Sequence, residues 1–185
     1  FCLPKTLASD FFLRELIRQK ELRSLRVAFV SKEGQGLQPY QMQAIWTAIR
    51  QSGEVALANQ HYQLDDMDKV LLLSDVDEFY DQLVKISNES DNQEAAQWIV
   101  SNPCFEIWLY YCFKNDPETD LESLKSFDAA KRSQEMKHLG NMLVPGGLNP
   151  LRAFEQMAEG IAHSREHYAE DEVGGQAVLG RQNCT

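Results

Sequence analysis

Hydrophobic and polar positions follow two different rhythms along this chain. In residues 10–25, "DFFLRELIRQKELRSL", Phe11, Phe12, Leu16, Ile17 and Leu22 recur among charges at helical spacing, which predicts an amphipathic helix. "RVAFV" (26–30) is a short continuous apolar run and predicts a buried strand, closed by the turn-like "SKEGQGLQP". From Pro39, "PYQMQAIWTAIRQSG" predicts a second helix, with proline in its first turn and Gly53 just past its end. "EVALAN" (54–59) suits either a strand or a continuation of that helix. "KVLLLSD" (69–75) is the clearest buried strand, an apolar run bounded by charges, and "EFYDQLVKIS" (78–87) predicts the helix after it. Past a polar loop, "QWIVSN" (97–102) predicts a third core strand and "PCFEIWLYYCF" (103–113) a strongly apolar helix. The remainder is helical by pattern, broken at "VPGGLNP" (144–150) and ending in one amphipathic helix over "PLRAFEQMAEGIAHSREHYAE".

Strands alternating with helices over the first 115 residues predict an α/β fold, a parallel sheet covered on both faces. The expected organisation is a helical extension over 1–25 and a domain over 26–185. That domain has a core at about 26–115 and a helical C-terminal elaboration at about 116–185. A chain of 185 residues suits one domain, and domains of this size hide roughly two-thirds of their unfolded surface. No apolar run approaches the roughly 20 residues of a membrane span. The opening "FCLPKTLASDFFLREL" lacks a basic region followed by a clean apolar stretch, so no secretory leader is expected. Cys2, Cys104, Cys112 and Cys184 contain no C-x-x-C pair. Free thiols in a cytoplasmic protein are expected, rather than a disulfide framework or a zinc site.

The formal net charge of −10 argues against nucleic-acid binding by bulk electrostatics. It leaves room for a metal-dependent nuclease, in which an acidic pocket takes a cation first and phosphate second. "LLLSDVDEF" carries the strongest chemical signal. A buried parallel strand ending in Asp75-Val76-Asp77 places two carboxylates two residues apart at its carboxyl end, where open α/β sheets bind ligands. Such oxygens suit Mg²⁺ or Mn²⁺; the alternative is an acidic cap on the following helix. Glu33 in "VAFVSKEG" follows a strand in an equivalent way, and Gly34 and Gly36 permit close backbone approach, or mark an ordinary loop. His61, His138, His163 and His167 are scattered in polar contexts and read as solvated. Trp98, Phe105, Trp108, Tyr110, Tyr111 and Phe113 read as core rather than as base-stacking platforms. Lys131, Arg132, Lys137 and Arg152 lie among acids and read as a solvated face.

Together, a strand ending in Glu-Gly, a later one ending in Asp-x-Asp and alternating β and α elements resemble the Toprim arrangement. "SNPCFEIWLYYCF" (101–113) is similar to the S-N-P-C-F-E-[LI]-W-L-L-L-H-F signature of the RloB family of Toprim-like proteins. "EGQGLQPY" (33–40) resembles that family's E-G-x-x-T-E-P-x-Y segment, and "LSDVDEF" its D-x-D segment, in the same order over roughly residues 26–114. Leu37-Gln38 stands where the family has Thr-Glu, and Cys112 where it has His. The resemblance implies that Glu33 is a general acid/base or metal-orienting carboxylate and that Asp75 and Asp77 are metal ligands. Glu106 and Asn102 would support them from the same sheet end.

The function this implies is Mg²⁺- or Mn²⁺-dependent phosphodiester cleavage in a bacterial or archaeal defence system. Nucleic acid would be the substrate, with an ATPase or restriction-modification protein as partner. The alternative is a catalytically weakened module that keeps the fold and binds such an ATPase, to which the changes at Leu37, Gln38 and Cys112 point. A third reading takes "LLLSDVDEF" as a haloacid-dehalogenase-type phosphatase motif with Asp75 as nucleophile. Glu78-Phe79 and the late position of the strand count against it.

Overall fold

The structure, a computed structural model, describes residues 2–4, 7–27, 31–32, 35–57, 60–76, 79–89 and 96–167. Its strands are β1 (Cys2–Pro4), β2 (Ser31–Lys32), β3 (Gln35–Gly36), β4 (Glu54–Leu57), β5 (Gln60–Gln63), β6 (Val70–Asp75) and β7 (Ala96–Ser101). The helices are α1 (Leu7–Lys20), α2 (Pro39–Ser52), α3 (Tyr80–Glu89), α4 (Glu106–Tyr111), α5 (Pro117–Asp120), α6 (Ala129–Leu143), α7 (Pro150–Glu155) and α8 (Met157–Glu166). A 3₁₀ turn covers Glu122–Ser126. Among the described residues no helix is long and apolar enough to cross a membrane.

The fold is mixed α/β and mostly helical, around a small parallel sheet in the order β1-β6-β7. β6 and β7 lie where the apolar runs predict them, paired from Val70↔Ala96 to Asp75↔Ser101. The edge strand β1 pairs with β6 from Cys2↔Leu71 to Pro4↔Leu73, in a stretch expected to be only a helical extension. The strand expected at 26–30 is described only at Val27, an isolated bridge; residues 28–30 lie outside the described residues. Of "EVALAN", Glu54–Leu57 forms β4, which pairs antiparallel with β5, while residues 58–59 lie outside the described residues; β2 pairs antiparallel with β3.

Strand alternation divides β6 between two faces. Val70 and Leu72 join Met42, Trp46 and Ile49 of α2, Leu37 and Val55 in one core. That core exists because α2 starts and stops on cue. Pro39 occupies its first turn, the Gln38 N–H donates to Gln41 Oε1 at 2.9 Å, and Gly53 at φ +70 receives the chain at its end. The Gly53 N–H donates back to the Ile49 carbonyl, a left-handed stop that residues with a Cβ adopt at a cost.

Two further cores are helical. Cys104, Ile107, Tyr110, Tyr111, Leu121, Leu124 and Met136 join α4 to the segment after it and to α6. Phe12 of α1 packs with Leu109, Cys112, Ala153 and Phe154, so the first helix closes onto α4 and α7. Its ring meets Phe105, Trp108 and Phe154 at centroid distances of 5.9, 6.2 and 5.9 Å.

Three helices differ from the pattern. α1 ends at Lys20 rather than near residue 25, with the left-handed Glu21 (φ 50) after it. α4 begins at Glu106, three residues later than the apolar run suggests, because residues 102–105 form a bend and turn that enter it through bonds from Ile107 N to Cys104 O and Trp108 N to Phe105 O. The expected last helix is two, α7 and α8, parted at Gln156 (φ −105, ψ 20). The break lets α7 lie on α1 while α8 lies on α4, two faces that one straight rod could not serve.

α8 approaches α4 at Gly160, where a Cβ would stand 2.7 Å from Cys112 Sγ and 3.1 Å from the Trp108 ring. Alanine in a helix interior normally gains about 1 kcal/mol over glycine, whereas overpacking a core costs about 1–3 kcal/mol. Gly160→Ala is therefore expected to lower the urea midpoint, with a net loss of about 1 kcal/mol; a raised midpoint would show that the seam has slack.

Candidate functional site

The parallel pairing of β6 and β7 ends both strands at one edge, and the ladder extends one bond further, from Val76 N to Ser101 O at 2.8 Å. Asp75 is the last residue of β6 and only 3% exposed. It aligns with Ser101, and four residues separate Ser101 from the first residue of α4, Glu106. Asn102 and the buried Pro103, joined by a cis peptide bond, start the bend between them. The chain thus brings a second acid back to the edge at which the first is buried.

Cys104 lies between that edge and Glu106 in the chain. Its thiol is fully buried, and burial is the main cause that pushes its pKa well above the ordinary value. The charges of Glu106 and Asp75 push it further, while Lys137 opposes them. The single thiol proton has two acceptors in reach, the Ser133 carbonyl (Sγ to O 3.8 Å) and the Glu106 carboxylate, and both favour S–H over S⁻.

α6 closes the site from the other side. Ser133 and Lys137, four residues apart, share one face of this helix. The Ser133 hydroxyl donates to the Pro103 carbonyl at 3.2 Å, and Lys137 Nζ lies 3.9 Å from Glu106 Oε1. Glu106 Oε2 is enclosed, with no N–H or O–H donor among the described residues. At the first residue of α4, the carboxylate is also in the position that a helix dipole favours.

Of the residues the sequence singles out, the structure buries Asp75 at the end of β6, sets Glu106 at the first residue of α4 and places Asn102, half-buried, on the bend between strand and helix. Glu33 and Asp77 lie outside the described residues. The chain flanking Glu33 is an antiparallel pair, Ser31↔Gly36 and Lys32↔Gln35, rather than a strand-to-helix loop. Lys137 and Cys104 are the members that pattern reading assigned elsewhere, one to a solvated face and the other to a helix core. The remaining basic candidates have other work: Lys131 lies 3.7 Å from Asp128, Arg132 donates to the Phe127 carbonyl, and Arg152 donates to the Pro145 carbonyl and covers the Phe113 ring.

Both described acids are carboxylates, and Glu106 Oε2 is enclosed with no N–H or O–H donor among the described residues, which is a donor chemistry that fits a hard divalent cation. The departures from the signature are absorbed by packing. Leu37 is buried against α2, and Gln38 precedes that helix as its exposed cap. Cys112 is buried at the end of α4. Two part-exposed histidines come to that end of α4 from the α8 end. His163 Nδ1 lies 2.7 Å from the Tyr111 carbonyl, and His167 stacks on the Tyr111 ring at 5.5 Å with Nε2 3.0 Å from Asn115 Oδ1.

The family model described as RloB-like protein matches residues 11–172 of the chain. No curated protein and no solved structure matches it.

Burial, with the charge of Glu159 second, raises the Cys112 thiol from its ordinary 9.0 to about 12. The folded protein then keeps a proton that the unfolded chain releases, so stability is full below pH 9 and falls as pH rises from 9 toward 12. Cys112→Ala is expected to make that alkaline decline shallower in denaturation curves taken across this range; an unchanged slope would remove the thiol as its source.

Proposed function

Since this chain belongs to the RloB-like protein family, we propose that it is a metal-dependent phosphodiester-cleaving enzyme with a Toprim-like core, acting in a prokaryotic defence system. The observation that carries this reading is Asp75, buried at the carboxyl edge of a parallel sheet, with Glu106 at the start of the helix that follows the neighbouring strand from that same edge. Carboxylates held at such an edge suit a hard divalent cation.

Asp75, with Asp77 and Glu33, would hold Mg²⁺ or Mn²⁺ at this edge. A bound divalent ion supplies charge neutralisation for the phosphate. Glu33 serves as the general acid/base, taking a proton from the attacking water or placing that water in line. Glu106 supports them as a neighbouring acid at the first turn of α4, and Ser133 fixes the bend from which Glu106 springs. The net charge of −10 is consistent with a cation that binds before the substrate.

A second reading, a weakened module that binds an ATPase through the same fold, draws support from Leu37 and Cys112. Both are taken up by the core, and Gln38 beside Leu37 and Cys112 supply neither the carboxylate nor the imidazole that the signature has at those places.

Manganese titration with a phosphodiester assay separates the two. The enzyme reading expects Mn²⁺ binding at or below millimolar concentration, lost in the Asp75→Asn, Asp77→Asn double variant. It also expects Glu33→Gln to slow cleavage by roughly 10²–10⁴-fold, the usual contribution of a general acid or base. A wild-type protein that binds no Mn²⁺ at millimolar concentration, and is indifferent to these substitutions, would be the interaction module.

A further inference from the structure

We infer that the exposed end of α1 and the turn after it, residues 18–26, form a surface that holds the phosphate backbone of a nucleic acid; the choice of nucleic acid over another polyanion rests on the phosphodiesterase reading above. Residues 14–26, "RELIRQKELRSLR", set Arg14, Arg18, Lys20, Arg23 and Arg26 against Glu15 and Glu21. Five of the chain's 18 lysines and arginines thus fall within 13 residues, and a protein of net charge −10 carries a segment of formal charge +3. An acidic protein needs such a concentration to hold phosphates, because its overall field repels them. Core packing does not account for it. Phe12 and Leu16 pack into the third core, whereas every residue from Arg18 to Ser24 is exposed, Leu22 included.

The backbone gives these charges a fixed base. Glu21 is left-handed (φ 50) directly after α1, and the Leu22 N–H donates to the Ile17 carbonyl at 3.1 Å, which closes the helix as a Schellman turn. The Arg23 N–H then donates to the Glu21 carbonyl at 2.8 Å, and the Leu25 N–H to the Leu22 carbonyl at 3.1 Å. Arg26 ties the turn from outside, its Nη1 donating to the carbonyls of Arg23 and, at 3.2 Å, of Leu25. Arg14 is engaged by Asp10 at 2.8 Å and Arg18 by Glu15 at 2.9 Å, within the helix. Basic residues in the last turn also offset the helix dipole, but that effect ends with the helix and does not reach Arg23 and Arg26. The apolar stripe that a lipid surface would require is spent on α4 and α7. Phe12 meets Phe105, the neighbour of Glu106 in the chain, at a centroid distance of 5.9 Å. Lys20 lies eight residues further along α1 (20 − 12), about 12 Å of helix axis. A nucleic-acid strand spans that interval in a few nucleotides, and a small diester cannot.

The test uses the full chain and a fluorescein-labelled poly-dT oligonucleotide, read by anisotropy in EDTA across a salt series. The wild-type protein is expected to bind, and to bind more weakly as salt rises. Lys20→Gln with Arg23→Gln is expected to weaken binding about tenfold and to make the dependence of log K on log salt shallower by about 1–2, the share of two phosphate contacts. Thermal melts should match wild type, since both side chains are exposed, and Lys20→Arg with Arg23→Lys should retain the affinity. With Mn²⁺ present, the neutral pair should leave Mn²⁺ affinity and the KM for bis(p-nitrophenyl) phosphate unchanged, while the KM for the oligonucleotide rises. Failure of the wild type to bind, binding indifferent to the neutral pair, or equal affinity for poly-glutamate or phosphatidylserine vesicles would overturn the inference. Binding through Lys20 and Arg23 without any Mn²⁺-dependent cleavage would uphold this surface and remove only the phosphodiesterase reading.

Discussion

Parallel alignment of β6 with β7, Asp75 opposite Ser101, determines where chemistry can occur in this molecule. Parallel strands end at the same edge, and side chains at aligned positions project from the same face of the sheet. Asp75 therefore stands next to the very bond from which the chain departs toward Pro103, Cys104 and Glu106. A shift of one residue in this register would turn Asp75 to the face where Leu72 packs on α2, and would exchange a carboxylate for a hydroxyl at the edge. The register is held by the apolar pattern of the strand, since Val70 and Leu72 have to meet Met42, Trp46 and Ile49. Core packing on one face thus decides which acid arrives at the edge of the other.

Electrostatics at this edge is a compromise between burial and compensation. An ionised carboxylate removed from water loses several kcal/mol of hydration unless donors or cations replace it. Here the replacements come from three directions: the start of α4, the thiol of Cys104 and the ammonium of Lys137. α6 provides two of the fixings, through Ser133 on the bend and Lys137 on the acid. The C-terminal helices are therefore part of the site's construction, not an appendage to a separate core.

Much of this was legible in the chain because apolar patterning is a one-dimensional signal. β6, β7 and α2 announce themselves through uninterrupted or periodic hydrophobes, and Pro39 and Gly53 mark the ends of α2 by backbone chemistry alone. The placement of Glu106 beside the sheet edge followed from a strand, a proline and a helix in succession. β1 did not show itself: three residues, "CLP", are too few for a period, and its proline is tolerated because the strand lies at the sheet's edge. The break at Gln156 was equally hidden, since glutamine suits a helix and the interruption serves contacts with α1 and α4. Lys137 looked solvated because its neighbours in sequence are mixed charges, while the acid it meets lies 31 positions earlier (137 − 106). Glu33 and Asp77, the other two acids of the expected set, lie outside the described residues.

The docking of α1 on α7 has a consequence for how the protein is made. Phe12 leaves the ribosome long before Ala153 and Phe154, with about 140 residues synthesised in between (153 − 12 = 141). At roughly 5–20 residues per second, that interval is on the order of ten seconds. Until then the apolar stripe of α1 has only its α4-side partners, themselves made late, and the sheet strand just before it depends on β6 for its own pairing. Completion of this third core is thus a late event of translation, and a nascent chain halted before residue 150 would display Phe12 and Leu16 to chaperones or to other nascent copies.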